Sequence, residues 1–200
     1  ETIQNINLNK KTRENVKIYY TNAIILKLKD LKEEDKDKYI KEIKKRNGIN
    51  RALTRLQYTM AQDPAPVMGL DIINTVYGSG FQMNTDTLEE TIDAVTDKIE
   101  KEYQEGKNIG KRPRILVTGS PSGGAALKVI RAIEENGGVV VCFENCTGMK
   151  PLAEVDEENP DVYDALSRKY LSIGCSCMSP NKARMELLEK LIKDFKVDAV

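Results

Sequence analysis

Four cysteines in two tight clusters are the residues of this chain best suited to chemistry. Cys142 and Cys146 lie in "VVVCFENCTG", and Cys175 and Cys177 lie in "IGCSCMSP". The chain contains no histidine, which excludes Ser-His and Cys-His nucleophile pairs and His-ligated zinc within it. In a reducing compartment, clustered thiols are more often metal ligands or redox groups than structural disulfides. The sequence therefore points to thiolate chemistry.

The spacing of the cysteines narrows the choice of metal. The pattern C-x3-C-x28-C-x-C matches neither the C-x2-C pairs of zinc ribbons nor the C-x2-C-x2-C run of bacterial ferredoxins. Thiolates hold iron–sulfur clusters without histidine, whereas catalytic zinc usually recruits an imidazole or a carboxylate. An iron–sulfur site is favoured. A structural thiolate-zinc site and a metal-free binding domain remain open alternatives.

The four cysteines are not equivalent. Cys142 falls inside an apolar run and is predicted to be a buried core thiol. Cys146 follows that run in a turn, and Cys175 and Cys177 flank Ser176 in a second turn, so these three are the predicted metal ligands. Alternation along an extended C-x-C segment points both thiols to one side. Three ligands are one short of the usual four, which leaves either an open iron site or a ligand elsewhere.

The composition excludes several classes of partner. Lys plus Arg and Asp plus Glu both number 31, giving a formal charge of zero, so a nucleic-acid-binding face is not expected. No apolar run reaches the roughly 20 residues of a membrane span, and no signal segment begins the chain. We expect a globular, cytoplasmic protein. Because the chain starts at Glu1 and stops at "FKVDAV", we also expect a fragment of a longer, two-domain protein.

The first half of the chain reads as helical. Residues 1–62 are lysine-rich with apolar residues near helical spacing and predict a helical arm, in which Asn47 and Gly48 mark a turn. Residues 63–110 predict a Pro-punctuated connector, "AQDPAPVMG", followed by an amphipathic helix. That helix places Leu88, Ile92, Val95 and Ile99 on one face and begins with a capping box of Thr87 and Glu90.

Residues 111–200 alternate between strands and helices. The last predicted helix begins with Ser179 as N-cap and Pro180 at its first position. The predicted elements are strands at 114–118 and 139–143, helices at 125–137, 161–173 and 179–195 (with Met185, Leu188, Ile192 and Phe195 on one face), and a third strand starting in "KVDAV". Right-handed crossovers make this order an α/β, Rossmann-like parallel sheet with flanking helices. Loops after the carboxyl ends of its strands would form one rim, where ligands bind.

A glycine-rich turn, "GSPSGG", joins the first strand to the next helix at that rim. Gly119 and Gly124 have the outer spacing of a P-loop, but Ala125 and Ala126 replace the Lys-Ser/Thr pair, and G-x-G-x-x-G does not fit either. A plain tight turn is one interpretation. The other is a site for a phosphate, carboxylate or cluster formed by Gly119, Ser120, Gly123 and Gly124.

Four segments together resemble the D-component family of 2-hydroxyacyl-CoA dehydratases, which is similar in turn to benzoyl-CoA reductase subunits. They are "PRILVTGSPSGG", "GGVVVCFENCTG", "VDEENPDVYDALSRKYLSIGCSCMSPN" and "ELLEKLIKDFKVDAV". The resemblance is closest to the branch with a double-cubane iron–sulfur cluster and covers most of residues 50–200. The paired "FENC…CSCM-PN" signature is its most specific part.

The resemblance implies a function. In this family two Rossmann-like domains with a helical extension bind an iron–sulfur cluster, [4Fe-4S] or double-cubane. An ATP-hydrolysing activator passes it a low-potential electron, which goes on to an acyl-CoA thioester. The resulting ketyl radical expels the hydroxyl group.

By motif match the ligands are Cys146, Cys175 and Cys177. A second subunit or a homodimer is implied, and reduction of another small molecule is the alternative. Family members are about twice as long, with further cysteines outside this region, so the chain alone is not expected to hold a complete cluster.

Overall fold

The computed structural model describes residues 36–200, and the helices expected before residue 36 lie outside this range. The architecture is α/β, Rossmann-like and preceded by a helical extension, as predicted. Within the described part, six helices surround a two-stranded parallel sheet. Their bounds are α1 Lys36–Tyr58, α2 Gly69–Ser79, α3 Leu88–Gln104, β1 Arg114–Thr118, α4 Gly124–Glu135, β2 Val139–Glu144, α5 Val162–Ser172 and α6 Lys182–Asp194, with a short 3₁₀ turn at Thr59–Ala61.

The sheet is built as the sequence predicts. β1 and β2 pair in parallel, from Arg114 opposite Val139 to Thr118 opposite Glu144, and α4 connects them. All six residues of β2 are buried, as in a strand covered on both faces. In place of the predicted third strand, residues 36–200 show a single parallel bridge between Ala199 and Ile115. Because Leu116 N donates to Ala199 O while Val139 N donates to Pro113 O, β1 lies between β2 and residue 199.

A single main hydrophobic core connects the helical extension to the sheet. It includes Leu56 of α1, Ile73 of α2, Phe143 of β2 and Phe195 just after α6. α5 packs over a smaller cluster that contains Ile43 and Val155. The domain boundaries at residues 62 and 110 remain predictions, but the helix preceding the first boundary shares this core with the strands.

A buried carboxylate joins α2 to the outer edge of β2. Glu134 accepts hydrogen bonds from Gly69 N at 2.7 Å and Leu70 N at 3.2 Å, which begin α2. It also accepts from Val140 N at 3.1 Å. At the other end of the strand, Met149 N donates to Phe143 O at 2.8 Å. The Glu134 carboxylate therefore accepts from backbone N–H groups both in the first turn of α2 and at the edge of β2.

The predicted turn at Asn47 and Gly48 is wrong, because α1 continues through both residues. The Asn47 side chain is buried, and it donates to Val155 O at 2.8 Å and accepts from Val155 N at 3.0 Å. Gly48 lies under Glu89, whose Oε2 would be 2.0 Å from an added Cβ. Tertiary contacts thus select residues that local statistics assign to a turn.

The predicted caps of two helices are also wrong. Thr87 precedes α3 but its side chain makes no capping hydrogen bond. α6 begins at Lys182, after Asn181, rather than at Pro180. The Asn181 side chain donates to Cys175 O at 2.7 Å instead of capping α6.

The predicted apolar faces are partly wrong. On α3, Leu88 and Ile92 are buried, but Val95 is 37% exposed and Thr96 takes its place inside. On α6, Phe195 is buried with Leu191, whereas Met185 is 57% exposed and Ile192 38% exposed. Within residues 36–200, no helix is long and apolar enough to cross a membrane.

Candidate functional site

The candidate site lies at the carboxyl edge of the sheet, where β1 ends at Thr118 and β2 ends at Glu144. Parallel strands present both following loops at the same edge. Gly119 N donates to Glu144 O at 3.1 Å and closes the sheet there. Gly119 has φ of 131°, a backbone conformation that favours glycine, so the chain turns sharply out of β1.

The loop after β2 is fixed by Asn145. This fully buried residue accepts hydrogen bonds from Thr147 N at 2.9 Å and Gly148 N at 2.8 Å. Its Nδ2 donates to Ser122 Oγ at 2.9 Å in the loop after β1. Thr147 Oγ1 accepts from Ser122 N at 2.9 Å. The two rim loops are therefore held together, and Cys146 is left exposed between Asn145 and Thr147.

The glycine-rich turn contributes mostly backbone to the rim. Ser122 is buried, whereas Ser120 and Gly124 are exposed and Gly119 and Gly123 are half-buried. α4 begins at Gly124 with Gly123 as its N-cap and no side-chain capping bond. Whether Gly119, Ser120, Gly123 and Gly124 bind a ligand stays a prediction.

The second cysteine turn brings two thiols together. Cys175 Sγ and Cys177 Sγ lie 3.3 Å apart, and Met178 N donates to Cys175 O at 3.0 Å to close the turn. The backbone N–H of Cys177, followed by the Cys177 thiol, lowers the pKa of Cys175. The Cys177 pKa is raised, chiefly by its hydrogen bond to Cys175. The turn therefore favours one thiolate and one thiol sharing a proton.

A group of buried charges lies under the rim. Glu144 is fully buried, and Lys150 Nζ lies 3.2 Å from Glu144 Oε1 and donates to Gly119 O at 3.2 Å. Arg184 Nε lies 3.5 Å from the same carboxylate oxygen. Thr118 donates its hydroxyl to Glu144 Oε2 and accepts from Arg184 Nη2. Lys150 also contributes a positive potential that lowers the pKa of Cys175.

Cys142 differs from the other three cysteines. It is buried in β2, and this burial raises its thiol pKa to about 12. The interpretation of Cys142 as a core thiol rather than a ligand agrees with this environment.

The structure brings only some of the predicted ligands together. Cys175 and Cys177 are adjacent, and Cys146 lies in the loop that ends β2. Over residues 36–200, no three Cys, Asp or Glu side chains form a group that could hold a metal ion. The assignment of all three cysteines to one metal therefore stays a prediction.

Sequence reasoning missed the polar residues that build the rim. Glu144, Asn145, Lys150, Asn181 and Arg184 hold the loops, yet none was predicted to have a role. One signal was present, because the dipeptide Glu144–Asn145 follows an unbroken apolar strand. Polar residues at that position of a parallel strand often face the ligand edge.

Comparison with known proteins assigns the family. The sequence model of "2-hydroxyglutaryl-CoA dehydratase, D-component" matches residues 11–200. The chain belongs to this family. It is also 46% identical over 155 residues to an Escherichia coli (strain K12) protein named "Putative dehydratase subunit YjiM". That match covers 78% of this chain and 40% of the E. coli relative. The chain therefore spans about two fifths of the length of this curated relative.

Proposed function

We propose that this chain is the cluster-binding part of a 2-hydroxyacyl-CoA dehydratase-like enzyme, with Cys146, Cys175 and Cys177 as iron–sulfur ligands. The observation that carries the proposal is the pair of accessible thiols 3.3 Å apart, Cys175 and Cys177. The turn that holds them contacts the helix that reaches the carboxyl edge of the sheet. In a family of dehydratase subunits, a thiol pair at this edge suits a soft metal better than an oxygen-ligand metal.

The donor set fits an iron–sulfur cluster in its chemistry. Thiolates alone can hold such a cluster, and the chain has cysteines but no histidine. The lowered pKa of Cys175 favours the thiolate that a metal requires. When bound, the cluster would supply single low-potential electrons. The chain's own residues would hold it by sulfur, and Lys150 would offset the negative charge of the thiolates.

The substrate class and partners follow from the same family. We propose an acyl-CoA thioester as the electron acceptor, an ATP-hydrolysing activator as the donor, and a second subunit or a second copy of the chain as the assembly partner. A small-molecule reductase that uses the same ligands is the alternative. Since the match covers 40% of the E. coli relative, residues outside this chain belong to the proposed enzyme.

The proposal is tested by iron content after anaerobic reconstitution. Cys175→Ser and Cys177→Ser should each lower the iron bound per chain by more than half, and Cys146→Ser should lower it as well, because hard hydroxyls replace soft thiolates. Cys142→Ser is the matched control. It should keep its iron while losing stability, since a buried hydroxyl replaces a core thiol.

Each outcome of this experiment has a distinct meaning. Brown protein that loses colour in the three ligand variants supports the proposal. Colourless protein with one tightly bound zinc would indicate a structural thiolate-zinc site instead. Protein that stays folded with a chelator and binds no metal would indicate a metal-free binding domain. If Cys142→Ser alone abolished iron binding, the ligand assignment would be wrong.

A further inference from the structure

We propose that Arg184 is a positioning residue for the thiols of Cys175 and Cys177, acting by tying their turn to the buried carboxylate of Glu144. The inference rests on the proposed function, in which these thiols are metal ligands. It assigns a role to an ion pair that connects two segments distant in sequence.

The cysteine turn sits directly on the beginning of α6. A Cβ added to Gly174 would lie 2.8 Å from both Cα and Cβ of Arg184 and 3.0 Å from its N atom. No side chain larger than hydrogen fits between them without movement of the helix. Asn181 adds a hydrogen bond to Cys175 O at 2.7 Å. The position of the turn is thus set by the position of Arg184.

The Arg184 side chain in turn reaches the end of the sheet. Its Nη2 donates to Thr118 Oγ1 at 3.2 Å, and its Nε lies 3.5 Å from Glu144 Oε1. Glu144 is fully buried, and an isolated buried carboxylate is costly. Lys150 and Arg184 provide the only positive charges within 4.0 Å of this carboxylate among residues 36–200. Glu144 therefore attracts the Arg184 guanidinium, and Lys150 at 3.2 Å is the nearer of its two cationic partners.

The contact is one of charge more than of hydrogen-bond geometry. Neither Arg184 Nε nor Glu144 Oε1 has a hydrogen-bond partner within the described part of the chain, although they lie 3.5 Å apart. A lysine at position 184 would keep the positive charge near Glu144, whereas a shorter, neutral glutamine would lose both the charge and the reach. This difference separates a positioning role from simple filling of space.

The consequence concerns the spacing of the ligands. Cys146 follows Glu144 by two residues, and Cys175 follows Gly174 directly. The Glu144–Arg184 contact therefore connects the segment that carries Cys146 with the turn that carries the thiol pair. Loss of the contact should leave each segment folded but free to move relative to the other. A metal site needs its ligands held within about 0.5 Å.

The test uses cobalt(II) and the metal-free full chain under anaerobic conditions. Thiolate-to-cobalt charge-transfer absorption rises with the number of thiolates bound, so it reports ligation without any enzyme activity. Arg184→Gln should weaken cobalt binding about 10-fold or more, the usual effect of losing an outer-shell partner, and should lower the absorption per cobalt. Arg184→Lys should restore most of the cobalt affinity and most of the absorption per cobalt. Arg168→Gln, which breaks the surface ion pair with Asp164, is the matched control and should change neither.

A second measurement separates this inference from the proposed function. Cross-linking of Cys146 to the thiol pair by a flexible bismaleimide should fall in Arg184→Gln relative to the unmodified chain, with no metal present. If the wild-type protein binds no metal but cross-linking still falls in Arg184→Gln, the proposed function is overturned and the positioning role is retained. Unchanged cobalt affinity and cross-linking in Arg184→Gln would overturn the positioning role. If Arg184→Gln does not fold, Glu144→Gln must show the same losses. If Arg184→Lys loses as much cobalt affinity and cross-linking as Arg184→Gln, the positioning role of the Arg184 charge is also refuted.

Discussion

At the scale of single residues, the same side chain behaves differently in two places. Cys142 is buried in β2, and desolvation raises its pKa to about 12. Cys175 lies in a turn where a backbone N–H and a neighbouring thiol lower its pKa. Sequence alone separates these cases, since Cys142 is surrounded by valines and Phe143 whereas Cys175 follows Gly174. The opposite pKa shifts of Cys175 and Cys177 depend on the three-dimensional turn and could not be predicted.

Thiol alkylation should reveal this difference directly. In metal-free native protein at pH 8, iodoacetamide should label Cys175 readily and leave Cys142 unlabelled, because the thiolate is the nucleophile. A lowered pKa means that the labelling of Cys175 should persist to lower pH than that of an ordinary thiol. Peptide mass spectrometry measures both rates.

Urea provides the control for this prediction. Unfolding removes the desolvation of Cys142 and should make it as reactive as a free thiol, whereas Cys142→Ala should show one label fewer only in urea. Rapid labelling of Cys142 in the native state would contradict the assignment of this residue to the core.

At the scale of elements, unbroken apolar runs predicted the strands well, whereas local capping rules predicted the helix ends poorly. The strands at 114–118 and 139–143 appear as β1 and β2, because unbroken β-branched runs have few alternatives. The turn at Asn47 failed because that side chain bonds to Val155, which is far along the chain. At the start of α6, the Asn181 side chain bonds to the cysteine turn and does not cap the helix. Long-range partners of this kind are invisible in a local window.

Gly69 provides a test of how closely α2 approaches the sheet. A Cβ at this position would lie 1.9 Å from Val140 O, a backbone atom that cannot move aside. Gly69→Ala should therefore destabilise the protein by about 1–3 kcal/mol through overpacking. Gly78→Ala in the same helix is the matched control, since nothing lies within 4 Å of its added Cβ. That change should be neutral or stabilising by up to about 1 kcal/mol.

Urea unfolding of both variants measures the two free energies. Equal effects at positions 69 and 78 would show that α2 does not contact β2 as closely as described. A loss only at position 69 would confirm the close approach.

At the scale of the whole molecule, one buried arginine joins distant parts of the chain. Arg114 begins β1 and donates to Met60 O at 2.6 Å, Gln62 O at 2.9 Å and Phe195 O at 2.9 Å. Its backbone N donates to Asp198 Oδ2 at 2.8 Å. The segment after α1, the first strand and the end of α6 thus meet at one guanidinium. Nothing in the local sequence "KRPRILV" distinguishes this arginine from its neighbours, so the role could not be predicted.

Replacement of Arg114 should have a large effect on stability. Arg114→Met fills similar space but leaves three carbonyl groups without their donor, and we expect a loss of about 3 kcal/mol. Arg114→Lys should restore little, because an ammonium cannot reproduce the planar fork. Arg131→Met on the exposed face of α4 is the control and should change the free energy of unfolding by less than about 0.5 kcal/mol. A loss below about 1 kcal/mol for Arg114→Met would contradict the joining role.

The occupied flank of β2 also has a consequence for how this sheet can grow. Two of its backbone groups that face away from β1 already have partners: Val140 N donates to Glu134, and Phe143 O accepts from Met149 N. A flank blocked in this way is a poor template for a foreign strand, which guards against unwanted pairing between molecules. The opposite flank of β1 receives Ala199. Any further strand, from this polypeptide or another, would therefore have to join beyond residue 199, giving the sheet a single direction of extension.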